Sequence, residues 1–112
     1  MSQWIAVGLR SDLKPGEGMC VELSDNRRIA IFLVDDSIHA IDDYCPHAGA
    51  QLSGGWVDEG VVTCPWHAWR FRLSDGLWMD APSSGTKVQT YPVEVRQGQI
   101  YVQLDQVRPT DT

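Results

Sequence analysis

Two short segments of this 112-residue chain each set a cysteine just ahead of a histidine. The first is Cys45-Pro46-His47, a C-x-H pair; the second is Cys64-Pro65-Trp66-His67, a C-x-x-H pair, with sixteen residues between His47 and Cys64. Two thiolates and two imidazoles brought to one point make a metal site, so the fold must carry two loops to a common tip. Zinc usually takes like ligands from each half, as C-x₂₋₄-C with H-x₃₋₅-H. Here each half supplies one sulfur and one nitrogen. That mixture suits a two-iron centre, in which each half gives its sulfur to one iron and its nitrogen to the other. A single zinc ion on the same four residues is the competing reading.

The residues around the ligands extend the pattern. Residues 45–55 read CPHAGAQLSGG, residues 61–71 read VVTCPWHAWRF, and residues 91–95 and 98–102 form a closing hairpin. Together they resemble the Rieske family, in which two histidines replace two cysteines on one iron of a [2Fe-2S] centre. The resemblance covers about residues 4–104. It implies one cluster held by Cys45, His47, Cys64 and His67. Pro46, Ala50, Pro65, Trp66, Trp69, Phe71 and Pro82 would form the cluster's surroundings, Pro82 on a loop packed over it or on a simple connection.

The resemblance also bears on redox potential. Two ferric ions, two sulfides and two thiolates sum to zero charge, and one added electron takes the centre only to −1, so such centres lie at about −150 to +300 mV. High-potential members carry two further cysteines as a disulfide; Ala50 and Trp66 stand at those positions here. They also place serine and tyrosine hydroxyls near the sulfurs, where this chain has Trp69 and Phe71. Fewer hydrogen bonds to sulfur leave the reduced state less stabilised, which predicts the low end of the range. Pro46 and Pro65 stiffen the loops by fixing φ. Ala68 stands where the family commonly has glycine, which suggests an ordinary φ there.

Length predicts a single domain, residues 1–112, with a cluster-binding subdomain at about 44–78 and a frayed tail at 108–112. No run of eighteen apolar residues and no signal-peptide pattern is present, so a cytoplasmic address without a membrane span is expected. The net charge of −6 disfavours nucleic acid and anionic membrane as partners.

Apolar residues alternate with period two, in short runs separated by turn signals. Strands are predicted at 4–8, 19–23, 29–34, 37–41, 56–57, 61–63, 69–73, 88–95 and 99–104, with a short helical turn possible after the first. The fold class is therefore all-β, a Rieske-like antiparallel sandwich or small barrel with the cluster-binding subdomain set into it. Cys20 reads as a small buried hydrophobe and His39 as a strand surface residue. Asp42-Asp43-Tyr44 either cap the first loop or form a solvated turn. Arg27-Arg28 are either a docking patch or solvent-facing edge residues. Trp4, Trp56 and Trp78 are assigned to the core, and Trp66 either shields the cluster or joins an apolar docking rim, shielding being preferred.

The chain has no nucleotide fingerprint and no catalytic triad, so it is expected to be an electron-transfer component and not itself an enzyme. The implied role is a one-electron carrier between a flavin reductase and a terminal oxygenase. The alternatives are the small Rieske subunit of an NAD(P)H nitrite reductase-like complex, with a larger reductase subunit as partner, and a non-redox zinc-binding module. Purified protein is expected to be brown, with iron and acid-labile sulfide in equal amounts. Colourless protein holding stoichiometric zinc after anaerobic iron–sulfide reconstitution would reverse the metal assignment.

Overall fold

The computed structural model describes residues 2–23, 27–45, 49–66 and 68–105. Its strands follow the period-two runs. In chain order they are β1 (Ser2–Leu9), β2 (Gly18–Glu22), β3 (Arg28–Val34), β4 (Ser37–Asp42), β5 (Trp56–Asp58), β6 (Val61–Thr63), β7 (Arg70–Arg72), β8 (Thr90–Tyr91), β9 (Val93–Arg96) and β10 (Gln99–Asp105). Single 3-10 turns lie at Arg10–Asp12, Leu52–Gly54 and Pro82–Ser84. The strands form three antiparallel sheets, ordered β1-β10-β9, β2-β3-β4-β8 and β5-β6-β7. The all-β architecture expected from the periodicity is what is found.

Strand β3 organises the packing. An antiparallel strand with one wet face alternates apolar and polar residues. In β3, Ile29, Ala30, Ile31, Phe32 and Leu33 are all buried. Successive side chains point to opposite faces, so β3 feeds two cores. Ala30 and Phe32 join Ile41, Leu52, Val62, Phe71 and Leu73 in a core that also contains Cys45 and Cys64. Ile29, Ile31 and Leu33 join Ala40, Ile100, Val102 and Leu104 in the second. Both cores thus share the β3–β4 hairpin, whose turn falls at Asp35-Asp36 as predicted.

The predicted strand over 88–95 is in fact two strands. Thr90 and Tyr91 pair with Ile41 and Ala40 of β4, whereas Val93 to Arg96 pair with β10. Pro92 stands between them. Without an N–H it cannot continue a ladder, and it marks the change of sheet. Its carbonyl is still used, accepting from the Gln103 N–H at 2.9 Å. The β1–β10 ladder, which joins the two ends of the chain, has a register shift between Ala6 and Gly8.

Two tryptophans assigned to the core are on the surface instead. Trp4 is 37% exposed, and the Arg96 guanidinium lies 5.7 Å from its ring and 5.0 Å from that of Tyr101. Trp56, on edge strand β5, is 56% exposed. Only Trp78 packs against the core as expected. Composition counts indoles, but the face of each strand decides their burial.

The division of β3 has a measurable consequence. Ile31→Ala is expected to cost about 2–5 kcal/mol and Phe32→Ala about 3–5 kcal/mol. Phe32→Ala, on the cysteine side, is expected also to lower cluster content per folded molecule, and Ile31→Ala is not. Denaturant melts beside iron analysis check this; equal cluster loss in both variants would contradict the division.

Candidate metal centre

The two cysteine loops close in the same way. The Cys45 N–H donates to the Ala50 carbonyl (2.9 Å), and the Gly49 N–H donates back to the Cys45 carbonyl (2.7 Å). In the second loop the Cys64 N–H donates to the Trp69 carbonyl (2.7 Å), and the Ala68 N–H donates to the Cys64 carbonyl (3.2 Å). Each loop is thus a tight backbone ring with a cysteine at its base. Both cysteines have no solvent exposure, both belong to the same core, and neither is in a disulfide. Pro46, His47, Ala48 and His67 lie outside the described residues, so half of the predicted ligand set is carried by sequence.

The shared closure explains a difference from the sequence reading. Gly49 and Ala68 hold equivalent places, and both are left-handed, with φ of +73° and +60°. Ala68 does not have the ordinary φ its side chain suggested. The ring requires the left-handed turn, and Ala68 accepts a conformation that glycine takes without strain.

Asp43 ties down the first loop. It is 3% exposed. Its Oδ1 accepts from the Ser53 N–H at 2.6 Å, and its Oδ2 from the Ser53 hydroxyl at 2.6 Å and the Gln51 amide at 3.3 Å. Of the two readings for residues 42–44, capping is therefore right for Asp43. Asp42 instead accepts a 2.5 Å hydrogen bond from the Tyr91 hydroxyl. Burial raises the Asp42 carboxyl, with Tyr91 and Arg27 opposing; burial and the Asp42 carboxylate together push the Tyr91 phenol well up. Cys20 is exposed and not buried as expected; it accepts from the Gln51 amide at 3.4 Å. Partial burial and a hydrogen bond to Asp43 raise its thiol above the ordinary value. His39 is half-buried, and that burial lowers its imidazole.

Asp80 does the corresponding work for the second loop. It accepts from the Arg70 N–H (3.0 Å), from Arg70 Nε and Nη2 (3.0 and 2.8 Å), and from Trp78 Nε1 (3.0 Å). The Trp78 indole stacks on Trp69, with centroids 3.7 Å apart and planes at 10°. Desolvation pushes the Asp80 carboxyl up, but the Arg70 and Trp78 donors outweigh it and the net shift is downward. A depressed carboxyl stabilises the fold above its unfolded value of about 3.9 and loses that effect only as pH falls through the lower folded value. The tie is therefore intact at neutral pH.

The remaining predicted residues divide by exposure. Ala50 and Phe71 are buried beside the cysteines in the same core, and Trp69 packs against it. Pro65 and Pro82 are exposed, Pro82 opening its 3-10 turn. Trp66 is 66% exposed and Tyr44, next to Cys45, is 57% exposed. An indole this exposed serves a rim better than a shield. Gln51, Ser53 and Asp80 were not singled out from sequence. Their signal is a polar side chain eight to ten residues from its partner, which local patterns do not show.

Two matched loops that each bury a thiol, set on a small antiparallel β fold, are the scaffold of a thiolate-ligated metal centre. A family model for the Rieske-like [2Fe-2S] domain matches residues 3–103, and the chain belongs to that family. The chain is 32% identical over 99 residues to ferredoxin CarAc of Metapseudomonas resinovorans, covering 88% of this chain and 92% of that one. A Mycobacterium tuberculosis protein assigned as an NADH-dependent nitrite reductase small subunit has the same fold, with a TM-score of 0.85, 33% identity, and 96% and 99% of the two chains covered. The ferredoxin in a complex of reduced oxygenase and oxidized ferredoxin in carbazole 1,9a-dioxygenase aligns with a TM-score of 0.80 at 32% identity, over 88% and 91% of the chains. The match to cholesterol 7-desaturase of Drosophila melanogaster, 34% identical over 105 residues, spans only 24% of that larger protein. The cofactor is a Rieske-type [2Fe-2S] cluster, which sets the zinc reading aside. The described residues fit it, with two soft, fully buried thiols outside any disulfide, one from each of two matched loops.

The left-handed pair provides a test of loop strain. Ala68→Gly is expected to stabilise the protein by about 0.5–1 kcal/mol, and Gly49→Ala to destabilise it by about 1 kcal/mol. Thermal melts of the two variants check the signs; a lower midpoint for Ala68→Gly would show that the turn is not strained.

Proposed function

We propose that this chain is a one-electron carrier that takes electrons from a flavin reductase and passes them to a terminal oxygenase, its cluster held by Cys45, His47, Cys64 and His67. The supporting observation is the pairing of two fully buried cysteines with an exposed aromatic rim, Tyr44 and Trp66, on the same two loops. When bound, a Rieske cluster supplies reversible one-electron chemistry at about −150 to +300 mV. The protein's own part is to hold, insulate and present. Leu52, Val62 and Phe71 keep water from the thiols, and Ala50 and Phe71 bring no hydroxyl to them. Tyr44, Pro65 and Trp66 offer a partner a small surface that desolvates readily, suited to brief docking. Pro46 and Pro65 stiffen the loops, and Pro82 belongs to the segment bordering them. We place this activity in the cytoplasm, in a single domain whose cluster-binding part is about residues 44–78; no helix among the described residues is long and apolar enough to cross a membrane.

A second reading is a fixed small subunit of a larger nitrite reductase-like complex. It is favoured by the near-complete two-way coverage of the Mycobacterium tuberculosis chain. Turnover separates the two. The free protein, at catalytic concentration, is expected to couple a flavin reductase to a ring-hydroxylating oxygenase, with a midpoint below about +100 mV within the Rieske range. Absence of coupling together with recovery from its host only in a large, dilution-resistant complex would favour the subunit. A midpoint above that value would remove the low-potential assignment.

A further inference from the structure

We propose that Asp43 is a positioning residue for the cluster, clamping the first cysteine loop and holding the midpoint low with its buried charge. This rests on Cys45 being a cluster ligand. Among the described residues Asp43 is the one buried charged side chain. It lies two residues before Cys45, so their Cα atoms are within about 7 Å. Its side chain reaches across the loop to Gln51 and Ser53, and its own N–H donates to the Arg28 carbonyl at 2.9 Å. Ser53 is also pinned from the other side, since a Cβ at Gly18 of β2 would come within 2.7 Å of its Cα and carbonyl oxygen. The base of the loop is thus fixed between β2, β3 and one carboxylate.

The charge is what makes this more than a structural tie. The Asp43 donors are an amide N–H, a hydroxyl, a carboxamide and the Cys20 thiol, all formally neutral. They solvate the carboxylate through donors that carry no charge of their own, while Arg27 and Arg28 border the same pocket and moderate its field. Reduction adds one negative charge to the centre, and an anion carried by the residue two before Cys45 opposes it. The second loop differs, because Asp80 is paired with the Arg70 cation at an exposed position. At that exposed, paired position the Asp80 charge is screened, so Asp43 is the carboxylate that bears on the midpoint.

Asp43→Asn separates charge from shape. The asparagine carbonyl can still accept from the Ser53 N–H, while the Ser53 hydroxyl and Gln51 carboxamide can reverse to accept. In the reconstituted protein, the reduced-to-oxidised ratio at a fixed applied potential is expected to rise roughly tenfold, equivalent to a midpoint about 59 mV higher for one electron. Ser53→Ala keeps the charge and removes one donor. Its midpoint is expected to stay at or below that of the wild type, and its cluster to be lost several-fold faster to a chelator. A loaded Asp43→Asn protein with an unmoved midpoint would overturn the proposal, as would a Ser53→Ala midpoint raised as far. Should Asp43→Asn not load, unchanged cluster release in Ser53→Ala overturns the clamp, and faster release at an unraised midpoint upholds it. Wild-type protein without a Rieske spectrum is a different failure: it would sink the ligand assignment itself.

Discussion

The burial of two thiols at the base of two self-closed backbone rings is the constraint that shapes the rest of this molecule. A loop that must present a metal ligand cannot also depend on that metal for all of its order. Here each ring satisfies the N–H and C=O of its cysteine internally, through the residues four and five positions on. Buried backbone groups are costly when unpaired, so this closure lets the sulfurs sit inside the core. Both closures need a left-handed turn, which Gly49 takes freely and which is a local strain at Ala68.

The two rings are held by unlike means. Asp43 is buried and surrounded by neutral donors, whereas Asp80 sits at the rim in a forked ion pair with Arg70. An exposed ion pair is screened and contributes little, and what Asp80 adds is mostly direction: it fixes Trp78 against Trp69 and ties β7 to the following segment. A buried carboxylate is unforgiving of lost partners and therefore specifies one arrangement of the loop. The two loops are thus held differently, one by a buried carboxylate and the other by a solvated ion pair, and each carries an exposed aromatic residue, Tyr44 or Trp66.

Much of this was legible in the sequence, and the boundary is physical. The ligand motif, the strand runs and the Asp35-Asp36 turn are local features, written in spacing and in period two. Ala50 and Phe71 were placed in the cluster's surroundings from their position beside the ligands, and both lie in the cysteine core. Burial of Trp4 and Trp56 was misjudged because an indole's face depends on sheet neighbours that lie far along the chain. Pro92 was visible, but its role as the point where the chain leaves one sheet for another appears only once β4 and β10 are placed. Ala68 was misread because its φ is set by a hydrogen-bonded ring and not by its side chain. Cys20 was misread because its partner, Gln51, lies thirty-one residues away.

The strand that supplies side chains to both cores has a wider effect. Ala30 and Phe32 face the cysteines while Ile29, Ile31 and Leu33 face the sheet that joins the chain ends. The cysteine core and the distal sheet are therefore coupled through one strand. Global stability is shared between them, so a change that loosens the β1–β10 seam shortens the time the whole fold survives between unfolding events while leaving each folded molecule's cysteine core as it was.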